Sequence, residues 1–277
     1  MSSEAVSKVV STLAVQADPE KHVDEKDMVW YLGYGSNMSS EVLSGRRQVF
    51  PIKSLAVVVP GYQLTFDMAG IPYFEPGFGT IVPVNDSDET IDEAGDQAQL
   101  LHKQRTTDCQ VGSPLHCIAH LITKKELAHI INTEGGSGNP DFGYQVLEVA
   151  CKTYDDQPLK GVTLIDSYTK VLCYHPSPRY LNILLNGAEE HKLAPEYIER
   201  LKMVKPYVPV TAGQKVAKGL MIAMSLPLAS PVLLSAILAL VFKTKTPRPI
   251  ALYGEWVKRF SWWVHDAVLA PIFGKGC

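Results

Sequence analysis

Three short stretches of the chain set polar and ionisable residues where they can do chemistry. In the first, Tyr34-Gly35-Ser36-Asn37 follows directly on the apolar run Met28-Val29-Trp30-Tyr31-Leu32-Gly33, so a tight turn closes a buried strand. Gly35 lets the backbone approach a ligand closely, and Ser36 and Asn37 are favoured helix N-caps, which predicts strand, turn and then helix from about Ser39. Backbone N–H groups at such a point suit a carboxylate or a phosphate. The same residues also fit an ordinary strand-to-helix turn. A dinucleotide fingerprint does not fit, because Gly33-x-Gly35-x-x-Met38 lacks the third glycine.

The second stretch runs from Thr123 to Gly136. Thr123 and Glu126 form a capping box that starts a helix, and Gly135-Gly136 end it. Leu127, Ile130 and Ile131 mark the buried stripe, and Glu134 lies four residues past Ile130 and seven past Leu127, on that apolar face. A carboxylate there is desolvated and sits at the negative end of the helix dipole. Both effects raise its pKa toward the range of a proton shuttle. The competing expectation is a helix-end glutamate that curls to solvent or pairs with an arginine. His129 falls beside the polar face and is expected to be exposed.

The third stretch is His175-Pro176-Ser177-Pro178-Arg179-Tyr180, where Ser177 reads as an N-cap and Pro178 as the first helical residue. It carries Tyr180 on the first turn, with its hydroxyl aimed at a pocket or at solvent. Another helix starts at Pro195.

The elements that position these stretches are mostly strands. β-Branched and aromatic runs bounded by Gly, Pro or Asp predict strands at Val29–Gly33, Ser54–Val59, Tyr62–Met68, Thr80–Val84, Cys117–Ile122, Tyr144–Tyr154 and Gly161–Tyr168. They fall in one domain over residues 28–210, behind a polar tail at 1–27 read as flexible. Asp86, Asp88, Glu89, Asp92, Glu93 and Asp96 mark residues 85–115 as a solvated insertion loop, since their irregular spacing lacks an EF-hand pattern. With 46% apolar and 20% charged residues the chain is globular, and its net charge of −3 without a long basic stripe argues against a nucleic-acid partner. Five cysteines without C-x-x-C spacing point to neither a disulfide framework nor a zinc site and fit a reducing compartment.

Taken together and in order, the three stretches resemble the γ-glutamyl cyclotransferase family over roughly Val29 to Tyr207. Tyr31-Leu32-Gly33-Tyr34-Gly35-Ser36-Asn37-Met38 is similar to the family signature, and Thr133-Glu134-Gly135 to its catalytic Glu-Gly element. Tyr144–Val149 resembles the strand that follows, and Pro176–Tyr180, Asn186-Gly187-Ala188 and Leu193–Tyr197 resemble its helical C-terminal part. The resemblance implies an α+β fold, a small mixed β-barrel with helices around it. It implies cleavage of a γ-glutamyl amide by cyclisation to 5-oxoproline, with Glu134 as catalytic acid and base and no metal or cofactor. Tyr34, Gly35, Ser36, Asn37, Tyr144 and Tyr180 then form the substrate pocket. The departures are the acidic insertion and the longer Gly135–Gly143 loop, both of which bear on the leaving group accepted. A related reading is γ-glutamylamine cyclotransferase; a different one is a catalytically silent, membrane-tethered binding module.

Beyond the domain the sequence changes character. Residues 219–242 carry no charge, are flanked by Lys215, Lys218, Lys243 and Lys245, and as a helix span roughly 36 Å, enough for a bilayer core of about 30 Å. Pro227 and Pro231 leave a kinked span, a re-entrant segment and a soluble buried hairpin open. Over 251–273, Leu252, Trp256, Phe260, Trp263, Val264, Ala267 and Val268 recur at helical spacing and predict an amphipathic helix that lies in a membrane interface or docks on the domain. The expected protein is membrane-associated with its domain facing the cytosol, and is similar to the fungal secondary-metabolite enzymes of gliotoxin-type pathways.

Overall fold

The computed structural model describes residues 25–84, 109–133, 144–166, 173–242 and 247–277. The expectations for the N-terminal tail, the acidic run from Asp86 to Asp96, Glu134 and the Gly135–Gly143 loop fall outside the described residues.

Five strands close into a barrel: β1 (Met28–Gly33), β2 (Lys53–Val59), β6 (Leu115–Thr123), β7 (Tyr144–Thr153) and β8 (Pro158–Asp166), in the order β1-β6-β2-β7-β8. β1 runs antiparallel to β6 from Met28↔Thr123 to Gly33↔Ile118 and meets β8 in parallel at Tyr31↔Val162. Successive side chains in a strand point to opposite faces. Leu32 therefore joins the main core with Val57, Cys117 and Ala119, while Tyr31 joins a second cluster with Leu43, Val49, Ile122, Ile130 and Leu164. Burial on both faces explains why β1 reads as a continuous apolar run. The second cluster is covered by helix α1 (Lys124–Thr133), which starts in the predicted capping box: Thr123 N–H donates to Glu126 Oε2 at 2.8 Å and Glu126 N–H to Thr123 Oγ1 at 3.1 Å.

A second sheet, in the order β4-β3-β5, combines β3 (Tyr62–Ile71), β4 (Glu75–Pro83) and β5 (Gln110–Gly112). β5 lies inside the stretch read from sequence as loop; only its pairing with Leu64 and Thr65 of β3 makes three residues a strand. Helix α2 (Pro178–Glu190) begins at Ser177, whose Oγ accepts from Tyr180 N–H at 3.1 Å, and α3 (Pro195–Met203) begins at its proline as predicted.

The cysteine expectation is corrected. Cys109 and Cys173 are joined in a disulfide with Cα atoms 5.6 Å apart. Spacing along the chain does not reveal it, because β3 does the pairing: Phe66 N–H donates to Cys109 O and Tyr174 N–H to Phe66 O, at 3.1 and 3.2 Å. Both sulfurs and His175 Nδ1 lie within 4.8 Å of one another, but sulfurs bonded to each other are not metal ligands.

The C-terminal region forms helix α4 (Ala212–Phe242), helix α5 (Arg248–Val264), a π-helical turn (His265–Leu269) and the short α6 (Ala270–Phe273). Its base is fastened to the β3–β4 connection. Tyr73, fully buried, packs with Tyr207, Ala217, Met221 and Leu269; its N–H donates to Gly276 O and its hydroxyl to Gly274 O. Trp262 Nε1–H donates to Gly70 O at 2.9 Å. Pro231 cannot supply the amide that Pro227 O would accept in a helix, and Ser230 Oγ–H donates there instead at 2.8 Å.

The junction between α2 and the turn after β1 tolerates no extra atom. A Cβ on Gly187 would lie 2.8 Å from the carbonyl carbon and Cβ of Met38 and from Ser39 N. Gly187→Ala is expected to destabilise the fold by about 1–3 kcal/mol, the cost of overpacking. Urea denaturation checks this, and an unchanged midpoint contradicts the packing.

Candidate active site

A half-open cavity of about 470 Å³ lies where the turn after β1, the start of α2, the second sheet and the end of α1 meet. Five of the sequence-derived pocket residues, Tyr34, Gly35, Ser36, Asn37 and Tyr180, line it. The turn is a 3₁₀ segment, Ser36–Met38, closed by Met38 N–H to Gly35 O and Ser39 N–H to Ser36 O at 3.0 and 3.1 Å. It is followed by a π-helical turn, Glu41–Arg46, rather than an α-helix.

Asn37 is not the N-cap its residue type suggests. It is 4% exposed, and its Nδ2–H donates to Tyr31 Oη at 2.8 Å while Oδ1 accepts from Arg47 Nε–H at 2.7 Å. Its carbonyl lies 3.2 Å from His120 Nε2. That oxygen can only accept, so Nε2 carries the proton and Nδ1 accepts from Ser54 Oγ–H at 2.8 Å. Burial first, and then the neighbouring His191, push His120 down to about 4, which keeps the imidazole neutral and this tautomer in place near neutral pH.

Arg47 links the turn to α1. Its Nη1–H donates to Thr133 Oγ1 at 2.7 Å, Thr133 Oγ1–H donates to Ile130 O, and His129 Nε2–H donates to the Arg47 carbonyl at 3.0 Å. His129 is thus a half-buried lining residue and not the exposed one expected: helical spacing places it beside the polar face, but the chain after the first turn passes over that side. Thr133 lines the cavity and Glu134 is the next residue, outside the described ones. Tyr144 opens β7 opposite Asp166, and its side chain also lies outside the described residues.

Tyr34 contributes its ring, with its hydroxyl donated to Leu164 O. Tyr180 is buried between Phe66 and Phe78, both edge-on to it, and its hydroxyl accepts from Gly79 N–H at 3.1 Å. Beside it Arg179 makes a bidentate pair with Glu75, Nε to Oε1 and Nη2 to Oε2, both 2.7 Å, and Ser177 Oγ–H donates to the same carboxylate. Glu75, Arg47, Arg179 and Phe78 escaped the sequence reading. A lone glutamate at the start of β4 has no motif around it, and an arginine gives no local signal when its partners come from other elements.

No family model matches the chain. It is 30% identical over 249 residues to gamma-glutamyl cyclotransferase gliK of Claviceps purpurea, a match that covers 86% of this chain and 99% of that protein. The chain belongs to the γ-glutamyl cyclotransferase family. It is also 29% identical over 275 residues to gamma-glutamyl cyclotransferase aclK of Aspergillus oryzae, with 93% of each chain covered. With gliK of Aspergillus fumigatus it shares 28% over 263 residues, covering 90% of this chain and 89% of that one.

In this γ-glutamyl cyclotransferase the close approach at Gly35 is physical. A Cβ there would lie 3.1 Å from Tyr180 Oη, at the cavity wall. Gly35→Val is therefore expected to weaken binding of a γ-glutamyl ligand by roughly tenfold or more, about 1.4 kcal/mol, with little change in melting temperature. Calorimetry on the folded variant decides: unchanged affinity makes the turn merely structural.

Proposed function

We propose that the cavity binds a γ-glutamyl amide, glutathione, a γ-glutamyl peptide or a glutathione S-conjugate, and cleaves it with Glu134 as the single proton relay. The observation that carries this reading is the position of Thr133, the residue before Glu134, on the same cavity wall as the Tyr34–Asn37 turn and Tyr180. A γ-glutamyl amide brings its own nucleophile. Its α-amine closes a five-membered ring on the γ-carbonyl, so proximity within the substrate supplies much of the acceleration.

The steps follow from that. Glu134 takes a proton from the α-amine as it attacks the γ-carbonyl, the C–N bond to the leaving amine breaks, and Glu134 returns the proton to that amine. The products are 5-oxoproline and the freed amine, and water is not consumed. Backbone N–H groups of the Tyr34–Asn37 turn hold the α-carboxylate or polarise the reacting carbonyl, and Tyr144 and Tyr180 complete the pocket. The resemblance to secondary-metabolite enzymes of gliotoxin-type pathways supports an S-conjugate of the kind used in sulfur-containing toxin biosynthesis; γ-glutamylamine cyclotransferase is the alternative.

Glu134→Gln keeps shape and hydrogen-bonding capacity but relays no proton. It is expected to lower turnover by on the order of 10² to 10⁴ with substrate affinity and melting temperature preserved. The measurement is 5-oxoproline formation and thermal unfolding on one preparation. Near-normal turnover with a lowered melting temperature would make Glu134 a structural helix-end residue and return the silent-module reading.

The second part of the proposal is attachment to a membrane from the cytosolic side. Helix α4 is long and apolar enough to cross a bilayer, and only 11% of its most apolar stretch is buried. Leu226, Leu233, Leu234, Ile237 and Leu238 are exposed on it, and a ladder of stacked rings, Tyr253, Trp256, Phe260 and Trp263, runs along α5 with Trp256 and Trp263 in the open. Aromatic rings of this kind favour the lipid interface. Replacing Leu234, Ile237 and Leu238 together by Gln is expected to move the full-length protein from the membrane fraction to the soluble one without loss of activity. Unmutated protein that stays soluble without detergent refutes the attachment.

A further inference from the structure

The cavity is lined by several guanidinium groups, two of them already paired with carboxylates, Arg179 with Glu75 and Arg46 with Glu41. Among its described lining residues are three arginines, Arg46, Arg47 and Arg179, and no Asp or Glu. A γ-glutamyl group with its α-carboxylate and α-ammonium is itself neutral overall. Two of the arginines already have structural employment: Arg179 is clamped by both oxygens of buried Glu75, and Arg47 is fixed by Asn37 and Thr133. Recruiting either to a substrate would break a bond network that shapes the pocket.

Arg46 differs. Its Nη2 meets Glu41 Oε1 at 2.7 Å, but the two side chains are 55% and 72% exposed and the pair stands in water. An exposed pair of this kind is worth little and exchanges readily for another carboxylate. Arg46 nevertheless lines the cavity, as does its neighbour Arg47, which holds Thr133 at the end of α1. A cavity of about 470 Å³ has room for more than a γ-glutamyl group.

We propose that Arg46 selects the leaving group by pairing with a carboxylate on it, exchanging Glu41 for the C-terminal carboxylate of a γ-glutamyl peptide. The substrate class is then γ-glutamyl peptides and their S-conjugates with a free C-terminus, and neutral or basic γ-glutamylamines are poor substrates. The inference rests on the γ-glutamyl cleavage proposed above. Planar guanidinium and carboxylate pair bidentately, so Arg does this better than Lys.

The test compares four compounds: glutathione, S-methylglutathione and the C-terminal glycinamide of each, assayed for 5-oxoproline with the unmutated enzyme, Arg46→Met and Arg46→Lys. The expected result is a preference for free acids over amides that falls about tenfold in Arg46→Met, mainly through KM, and is partly kept in Arg46→Lys. The Arg46 side chain is exposed and supports no core packing, and the acid-to-amide ratio is read within one preparation, so an altered fraction of folded enzyme cancels. Equal turnover of acids and amides by the unmutated enzyme, or a preference unchanged in Arg46→Met, overturns the role of Arg46 and leaves the cleavage standing. No 5-oxoproline from any of the four overturns the cleavage reading and this inference with it.

Discussion

The site depends on satisfying one buried amide. Asn37 lies almost wholly out of water, and each of its polar atoms would cost free energy if left without a partner. The partners come from four directions: Tyr31 from β1, Arg47 from beyond the π-helical turn, His120 from β6, and through Arg47 the hydroxyl of Thr133 at the end of α1. The bonds lock the turn that lines the cavity to the helix end that precedes Glu134. A buried network of this kind is favourable when every member is satisfied, and removing one member leaves the rest exposed to the full desolvation cost.

Around that centre the molecule separates rigid support from adjustable rim. The barrel presents Tyr31 and Leu32 to opposite sides, so the same strand builds the main core and the cluster under α1. Helix α2 reaches the turn through Gly187 and carries Tyr180 to Gly79, while Glu75 restrains Arg179 from the second sheet. Against these fixed parts, Arg46 and Glu41 sit in solvent with little to hold them. The proposed discrimination among leaving groups is assigned to this rim, where a substitution leaves the Asn37 network intact.

The C-terminal helices are docked along one part and exposed along another. One edge of α5 docks on the domain through Trp262, continued by His265 of the π-helical turn, and the other leaves the ring ladder open. The chain after α6 returns to Tyr73, so the helices are tied to the β3–β4 connection at both ends of their path. Docking at the base and exposure along the length are therefore both properties of one element.

What the sequence by itself determined is local. The strands other than β5 and the first half of β4, the capping box of Thr123 and Glu126 and the Ser177-Pro178 helix start follow from residue types within a few positions of one another, whereas the expectation that Tyr34–Asn37 and Tyr180 share a pocket comes from the family resemblance of the ordered stretches. The same locality explains the failures. The three residues of β5 have no strand signal without β3 beside them, and the Cys109–Cys173 disulfide joins residues 64 apart that only β3 brings together. His129 was assigned to solvent because helical spacing says which side of a helix a residue occupies but not what later covers it. Asn37, Arg47 and Glu75 acquired their roles from partners on other elements, and the tertiary structure alone decided those, since a hydrogen bond between distant segments leaves no periodicity or spacing in the chain.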